Sequence, residues 1–151
     1  MNNGRAKSHI FQFSEESFKE KINRLDYVLV EKQRNRRIPV RLTEENHRDY
    51  LHALIGGKKE YAIPGIGRAD ILTDNFVVEI KRSTSAIRAL GQALCYGYGI
   101  GAYAIPIIGL FGKEKPKVNE ICSHYGFVLL YTDEQSPWRF VNKEQLLRGF
   151  E

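Results

Sequence analysis

The chain has 151 residues, of which 42% are hydrophobic and 27% charged, and its net charge is +5. This length suits one globular domain, and the composition excludes disordered, collagen-like and coiled-coil proteins. The most apolar run, residues 100–111, is too short for a membrane span of about 20 residues. We therefore expect a soluble, intracellular protein with no membrane partner.

Helix and strand signals alternate along the chain. Ser14 and the two acids after it predict a helix over 14–24, followed by a short strand at 27–32. Thr43 begins a second helix that ends before the glycine pair at 56–57. The remaining predicted elements are strands at 60–63, 68–73 and 76–81, a helix at 86–98, a strand at 103–111, a helix at 116–125 and a strand at 127–131. This order indicates an α/β or mixed α+β sandwich, with a central mixed sheet flanked by helices.

Two of these elements carry further expectations. The helix at 86–98 places five apolar residues on the face that should pack in the core: Ala86, Ala89, Leu90, Ala93 and Leu94. Pro106 has no backbone donor, so the strand at 103–111 should have an edge or a bulge there.

The positive charge is concentrated at the N-terminal end. Residues 1–41 contain ten Lys or Arg and five Asp or Glu, an excess that equals the net charge of +5. Four arginines form a dense cluster: Arg34, Arg36, Arg37 and Arg41. Such a cluster attracts phosphates, although a solvated basic face is the alternative. We therefore expect a basic extension over 1–42, containing a helix and a strand that contact DNA, and a core over 43–151.

Two consecutive predicted strands form a hairpin with polar chemistry on one face. If Asp74 and Asn75 make a two-residue turn with positive φ, Asp70 lies directly opposite Glu79. Opposed residues have Cβ atoms about 4.5–5.5 Å apart, and Lys81 shares their face because side chains alternate along a strand. Two carboxylates at this spacing suit Mg²⁺, and a lysine there can hold water or stabilise charge on a phosphate.

A structural alternative is an exposed hairpin in which the lysine only forms salt bridges, each contributing under about 1 kcal/mol. The helix that follows favours the interpretation as a site. Three polar residues recur every four positions along it: Arg88, Gln92 and Tyr96. At this spacing they form one stripe, which would face the metal and a phosphodiester.

These residues resemble the PD-(D/E)XK, or restriction-endonuclease-like, nuclease superfamily. The matching positions are Gly67, Asp70, Glu79, Lys81, Gln92 and Tyr96. The acidic pair and the lysine match the Asp…(Asp/Glu)-x-Lys signature, and the glutamine and tyrosine are similar to the Gln-x-x-x-Tyr motif of the RecB-like branch. The glycine fits the Gly-x-x-Asp element of that branch, and the resemblance covers residues 43–131.

The resemblance implies a restriction-endonuclease-like core and a Mg²⁺-dependent DNA endonuclease, with Mn²⁺ able to substitute. Asp70 and Glu79 would bind the metal together with the main-chain carbonyl of Ile80. Lys81 would position or activate the attacking water.

Further site residues follow from the same resemblance. Family members often take another metal ligand from the first core helix, where Glu45 or Glu44 is the candidate, and Glu60 is a weaker one. Gln92 and Tyr96 would contact DNA or orient the lysine. The DNA contacts expected on this helix are Arg88 and Tyr96.

One active site cuts one strand, so cleavage of a duplex would need a homodimer or a larger homo-oligomer. Two other functions remain open at this point. One is a nucleic-acid-binding module that keeps the fold but does not cut. The other is a metal-binding hydrolase that acts on nucleotides or RNA.

Overall fold

The structure, a computed structural model, describes residues 14–101 and 104–149. The helices are α1 (Glu15–Gln33), α2 (Glu44–Ile55), α3 (Ala86–Gly99), α4 (Pro116–Tyr125) and α5 (Lys143–Arg148). The strands are β1 (Lys58–Ile63), β2 (Gly67–Leu72), β3 (Phe76–Arg82), β4 (Ile105–Phe111), β5 (Val128–Thr132) and β6 (Arg139–Phe140). The predicted fold class is confirmed, because the strands form one mixed sheet flanked by helices.

The strands lie in the sheet in their chain order, from β1 to β6. The first three form an antiparallel meander, β3, β4 and β5 are parallel, and β6 returns antiparallel to β5. Parallel neighbours need a crossover connection, and α3 and α4 provide the two crossovers. The carboxyl ends of β3, β4 and β5 therefore meet at one edge of the sheet.

Alternate residues of β3 separate the two faces of the sheet. Phe76, Val78 and Ile80 belong to the main core, which they share with the buried residues of α1 and α2. Val77 lies on the other face, in a smaller cluster with Tyr96 of α3. Every residue of β4 and β5 is buried, as expected of parallel strands covered on both faces.

The first helix is longer than predicted, and the strand predicted at 27–32 is wrong. These residues continue α1, whose buried face recurs every three or four positions: Phe18, Ile22, Leu25, Leu29 and Gln33. The β-forming residues that suggested a strand include Tyr27 and Val30, which lie on the exposed face of the helix. Because α1 shares the core of the sheet, the predicted boundary at residue 42 does not separate an extension from a core. Residues 1–13 lie outside the described residues.

The second helix and the crossover helices agree more closely with the sequence. Thr43 caps α2 by accepting the N–H of Asn46 at 3.0 Å, and Gly56 ends the helix with a φ of 77°. In α3 the three alanines of the predicted face are buried. Leu94, which we also expected on this face, is exposed.

Pro106 lies in a central strand, so the predicted edge or bulge is wrong. The N–H of Ile105 donates to the carbonyl of Asn75, on the β3 side, at 2.8 Å. Successive residues of a strand direct their N–H groups to opposite edges, so the nitrogen of Pro106 faces β5. Pairing of β4 with β5 begins only at Ile107, so Pro106 lies before the first β5 carbonyl that would need a backbone donor from β4. The start of this strand predicted at residue 103 lies outside the described residues.

Arg41 is a core residue with 1% of its surface exposed. Its Nε donates to Nδ1 of His47 at 3.2 Å, and its guanidinium lies over the ring of Tyr50. Its other donors bind oxygen atoms at 2.6–3.1 Å, namely the carbonyls of Pro39, Asp133 and Ser136 and the hydroxyl of Thr132. Its predicted phosphate contact is therefore wrong, because these donors tie the loop after α1 to the end of β5.

His47 is buried beside this arginine, with its ring stacked on Phe111 at a centroid distance of 4.2 Å. Burial and the positive charges of Arg41 and Arg82 lower the pKa of His47 to about 4. The unfolded chain binds a proton here near pH 6.5, but the folded protein does so only near pH 4. The free energy of unfolding therefore falls as the pH drops from 6.5 towards 4.

We expect wild type to lose about 2 kcal/mol more of its free energy of unfolding between pH 7 and pH 5 than a His47→Gln variant, which cannot titrate. Urea unfolding at the two pH values measures this difference. His124→Gln is the matched control, because this histidine is exposed on α4, and it should keep the wild-type pH dependence. Equal pH dependence in wild type and H47Q would contradict the assignment.

Among the described residues, none of the helices combines the length and apolar character needed to cross a lipid bilayer.

Candidate active site

The β2–β3 hairpin has the predicted register. Its paired residues are Ile71–Val78 and Leu72–Val77, which place Asp74 and Asn75 in the turn. Neither turn residue has the positive φ that we predicted. Instead, the hydroxyl of Thr73 accepts the N–H groups of Asn75 and Phe76 at 3.2 and 2.9 Å. The turn is thus closed by a side chain and needs no left-handed backbone.

Beyond these pairs, the carboxylate of Asp70 takes the place of a strand carbonyl. Its Oδ2 accepts the main-chain N–H of Ile80 at 2.7 Å. The N–H and C=O groups of one residue in a strand point to the same edge, so the carbonyl of Ile80 also faces β2. This arrangement brings a carboxylate and a main-chain carbonyl to the point where β2 leaves β3.

The acidic pair, Asp70 and Glu79, lies at this opening. Glu79 is 3% exposed, and its Oε2 is a buried atom with no hydrogen-bond partner among the described residues. Burial and the nearby charge of Asp70 raise the pKa of Glu79 to about 8. Burial and the charge of Glu44 also raise the pKa of Asp70, against the opposing effects of the Ile80 N–H and Lys81. The pair therefore retains a proton near neutral pH when no further cation is present.

Lys81 lies beside this pair at the end of β3. Its Nζ is 3.4 Å from Oε1 of Glu79 and 3.3 Å from Oε1 of Glu44. Burial lowers the pKa of Lys81, but the two glutamates outweigh burial and hold this pKa above its ordinary value. The lysine is therefore a cation at neutral pH, so it can stabilise negative charge but cannot accept a proton.

Glu44 is the helix carboxylate that reaches the site. It lies in the first turn of α2, directly after the cap at Thr43. Glu45 is exposed and lies 3.6 Å from Arg48. Glu60 binds the same arginine at 3.0 Å. The prediction of Glu45 as a metal ligand is wrong, because adjacent helical residues point in different directions.

The polar stripe of α3 becomes more buried along the helix. Arg88 is exposed, Gln92 is half-buried, and Tyr96 is 6% exposed. The Oε1 of Gln92 is buried and has no hydrogen-bond partner within the described part of the chain. Of the two roles predicted for Tyr96, its burial favours orientation of the site over a DNA contact.

Tyr96 packs directly against the start of β2. Burial together with the charges of Glu79 and Asp70 raises the pKa of Tyr96, against the smaller opposing effects of Lys81 and the Arg68 backbone N–H. A Cβ atom at Gly67 would lie 3.2 Å from the Tyr96 hydroxyl, and the glycine has a φ of 155°. The glycine of the predicted Gly-x-x-Asp element thus allows the tyrosine to approach β2 beside the acidic pair.

The other predicted DNA contacts lie in the loop that follows α1. Arg36 and Arg37 are exposed there. Arg34 is exposed too and is 2.8 Å from Glu31. Their positions are compatible with a phosphate contact, and their role in DNA binding stays a prediction.

Comparison with known proteins yields no family for this chain. No protein-family model, no curated protein and no solved structure matches it. The resemblance to the PD-(D/E)XK nucleases therefore depends on the motif residues and on the geometry described above.

The donor set at the opening fits a divalent cation. Glu79 has a buried oxygen without a partner among the described residues, and burial together with neighbouring negative charge raises the pKa values of both acids. Two carboxylates with a main-chain carbonyl are hard oxygen donors, and Mg²⁺ commonly fills the rest of its octahedron with water. The described residues contain no group of three or more His, Cys, Asp or Glu side chains arranged to hold a metal, so a cation here depends on the acidic pair.

We expect Mg²⁺ or Mn²⁺ to raise the melting temperature of wild type, because a ligand that binds only the folded state stabilises it. Asp70→Asn should abolish this shift, and Glu44→Gln should weaken it. Glu45→Gln is the matched control on the same helical turn and should respond like wild type. Thermal unfolding with and without the metal, at constant ionic strength, measures the shift. Loss of the response in E45Q, or its retention in D70N, would contradict the assigned site.

Proposed function

We propose that the protein is a Mg²⁺-dependent endonuclease that hydrolyses phosphodiester bonds in DNA. The main support for this proposal is the acidic pair at the point where β2 leaves β3. One Glu79 oxygen, Oε2, has no hydrogen-bond partner among the described residues, and Nζ of Lys81 lies 3.4 Å from the other, Oε1. A surface salt bridge would not require a buried and a half-buried carboxylate whose pKa values are both raised.

Asp70, Glu79 and the carbonyl of Ile80 would hold the metal. The Ile80 N–H fixes one Asp70 oxygen at 2.7 Å, which leaves the other oxygen of this carboxylate for the cation. When bound, Mg²⁺ supplies positive charge that stabilises the extra negative charge of the phosphoryl transition state.

Lys81 would contribute a second positive charge to the same transition state. Its ammonium group is held between Glu79 and Glu44, so its position is set before substrate binds. Its role would be to hold water or a phosphate oxygen through its N–H donors.

DNA contacts would come from exposed arginines. Arg88 lies at the exposed end of the α3 stripe, and Arg36 and Arg37 lie in the loop before α2. Such contacts provide affinity that depends on salt but not on base sequence. Cleavage of both strands would need a second copy of the chain, and a DNA substrate would place the protein inside the cell.

We expect purified protein to nick supercoiled plasmid when Mg²⁺ is added and to stop when the metal is chelated. Asp70→Asn and Lys81→Met should each lower the nicking rate by about 100-fold or more, because each removes charge from the reacting phosphate. Arg148→Gln is the control, since this arginine pairs with Glu144 on α5.

Nicking by both variants at the wild-type rate would refute the assigned residues. Salt-sensitive DNA binding by wild type without cleavage, with either Mg²⁺ or Mn²⁺, would instead identify the protein as the non-cutting binding module.

Tyr96→Phe tests the proposed orienting role of the tyrosine. Loss of the hydroxyl removes the polar group that lies beside Gly67 at the start of β2 without emptying the ring's place in the core. We expect kcat to fall by about tenfold while KM for DNA stays unchanged, since the residue is buried and would act through β2. A rise in KM at constant kcat would instead assign Tyr96 to a DNA contact.

A further inference from the structure

A cavity of about 550 Å³ lies at the carboxyl ends of the parallel strands. Its lining includes His47, Arg82, Phe111, Gly112 and Glu134. Arg82 follows Lys81 on β3, so its side chain leaves the strand on the opposite face from the acidic pair. Ligands of sheets with parallel strands commonly bind at this edge, outside the carboxyl ends.

The first group that a ligand would meet in this cavity is the guanidinium of Arg82. It lies over the ring of Phe111, 5.1 Å from the ring centroid, and the side chain is exposed. In the part of the chain that the structure describes, it forms no ion pair with a carboxylate. Stacking on the ring restricts its orientation, while its N–H donors remain open to an anion.

The second group is the imidazole of His47. Its Nδ1 accepts a hydrogen bond from Nε of Arg41, so the neutral ring carries its proton on Nε2. Within residues 14–101 and 104–149, no hydrogen bond involves this Nε2 atom, although the residue is 1% exposed. His47 lies in the lining of the cavity, where an oxygen atom of a ligand could accept this N–H.

Two arginines and two acids line the cavity: Arg41, Arg82, Asp133 and Glu134. The donors of Arg41 end on neutral acceptors, so its buried positive charge is not neutralised by a hydrogen-bonded carboxylate. Asp133 turns its Oδ1 towards the N–H groups of Gln135 and Ser136, at 3.0 and 2.8 Å. Glu134 is exposed at the cavity, and its charge opposes an anion there.

We infer that this cavity binds a phosphate group of the nucleic-acid strand that the acidic pair would cut, an inference that depends on the proposed function. The same two elements build both sites. Lys81 of β3 and Glu44 of α2 lie beside the acidic pair. Arg82 of β3 and His47, one turn after Glu44 on α2, line the cavity. A strand that crosses this edge of the sheet would therefore present one phosphate to each site, and the fork of an arginine suits phosphate oxygens.

Fluorescence anisotropy of a labelled DNA duplex tests this inference. Ca²⁺ replaces Mg²⁺ so that binding is measured without cleavage, over a series of salt concentrations. Arg82→Gln should weaken binding by about threefold to tenfold and reduce the slope of log affinity against log salt by about 0.9, the value for one lost phosphate contact. Arg148→Gln, an exposed arginine on α5, should match wild type in both quantities.

Two further variants of residues at the cavity test the same inference. Glu134→Gln should tighten binding, because it removes the opposing charge. Arg82→Lys should give an intermediate loss, because it keeps the charge but not the fork, and it serves as the main test if the melting temperature shows that R82Q does not fold.

Identical affinity and salt slope in R82Q and R148Q would overturn the inference and leave the proposed hydrolysis untouched. Salt-dependent binding that requires Arg82, in a protein that never cuts DNA, would refute hydrolysis and leave the phosphate site in place. Inorganic phosphate and a mononucleotide are tested as competitors at constant ionic strength. If either binds wild type but not R82Q without displacing DNA, the cavity is a site for a free phosphate, and the assignment to a strand phosphate is wrong.

Discussion

One hydrogen bond determines the architecture of the candidate site: the main-chain N–H of Ile80 donates to the carboxylate of Asp70 at 2.7 Å. In an uninterrupted ladder that N–H would meet a carbonyl of β2. Because a side chain accepts it, β2 can leave β3 without a buried donor losing its partner. The separation exposes one edge of β3, with its carbonyl groups, next to two carboxylates, and it leaves room for Tyr96 to pack against Gly67.

The electrostatics of this opening follow from the same separation. Glu79 of β3 is buried and Asp70 of β2 is half-buried, and burial disfavours two negative charges. Lys81 compensates one of them but is shared with Glu44, so the local balance stays negative and the pKa values of both acids are raised. Binding of a divalent cation would remove this excess.

A buried arginine, Arg41, connects the segments that meet at the carboxyl ends of the parallel strands, on the sheet face opposite the acidic pair. Arg41 connects the loop after α1, His47 of α2 and the turn after β5 through its hydrogen bonds. It thereby fixes the tautomer of His47 and places α2 across the carboxyl ends of the strands. The first turn of α2 then delivers Glu44 to Lys81, so the position of the acidic site also depends on this core arginine.

Local signals in the sequence were sufficient for much of the fold and for the hairpin that carries the acidic pair. Short-range pattern determined the cap at Thr43, the register of the β2–β3 hairpin and the shared face of Lys81, because alternation and capping depend on neighbouring residues. The sequence could not distinguish the last turns of α1 from a strand, since β-branched residues fit a helix once its other face is buried. Only the tertiary structure decided that Glu44 rather than Glu45 reaches the site, that Arg41 is buried rather than bound to phosphate, and that Pro106 is tolerated in a central strand. Each of these outcomes depends on which distant segment packs against the residue, and that information is absent from any local window of the chain.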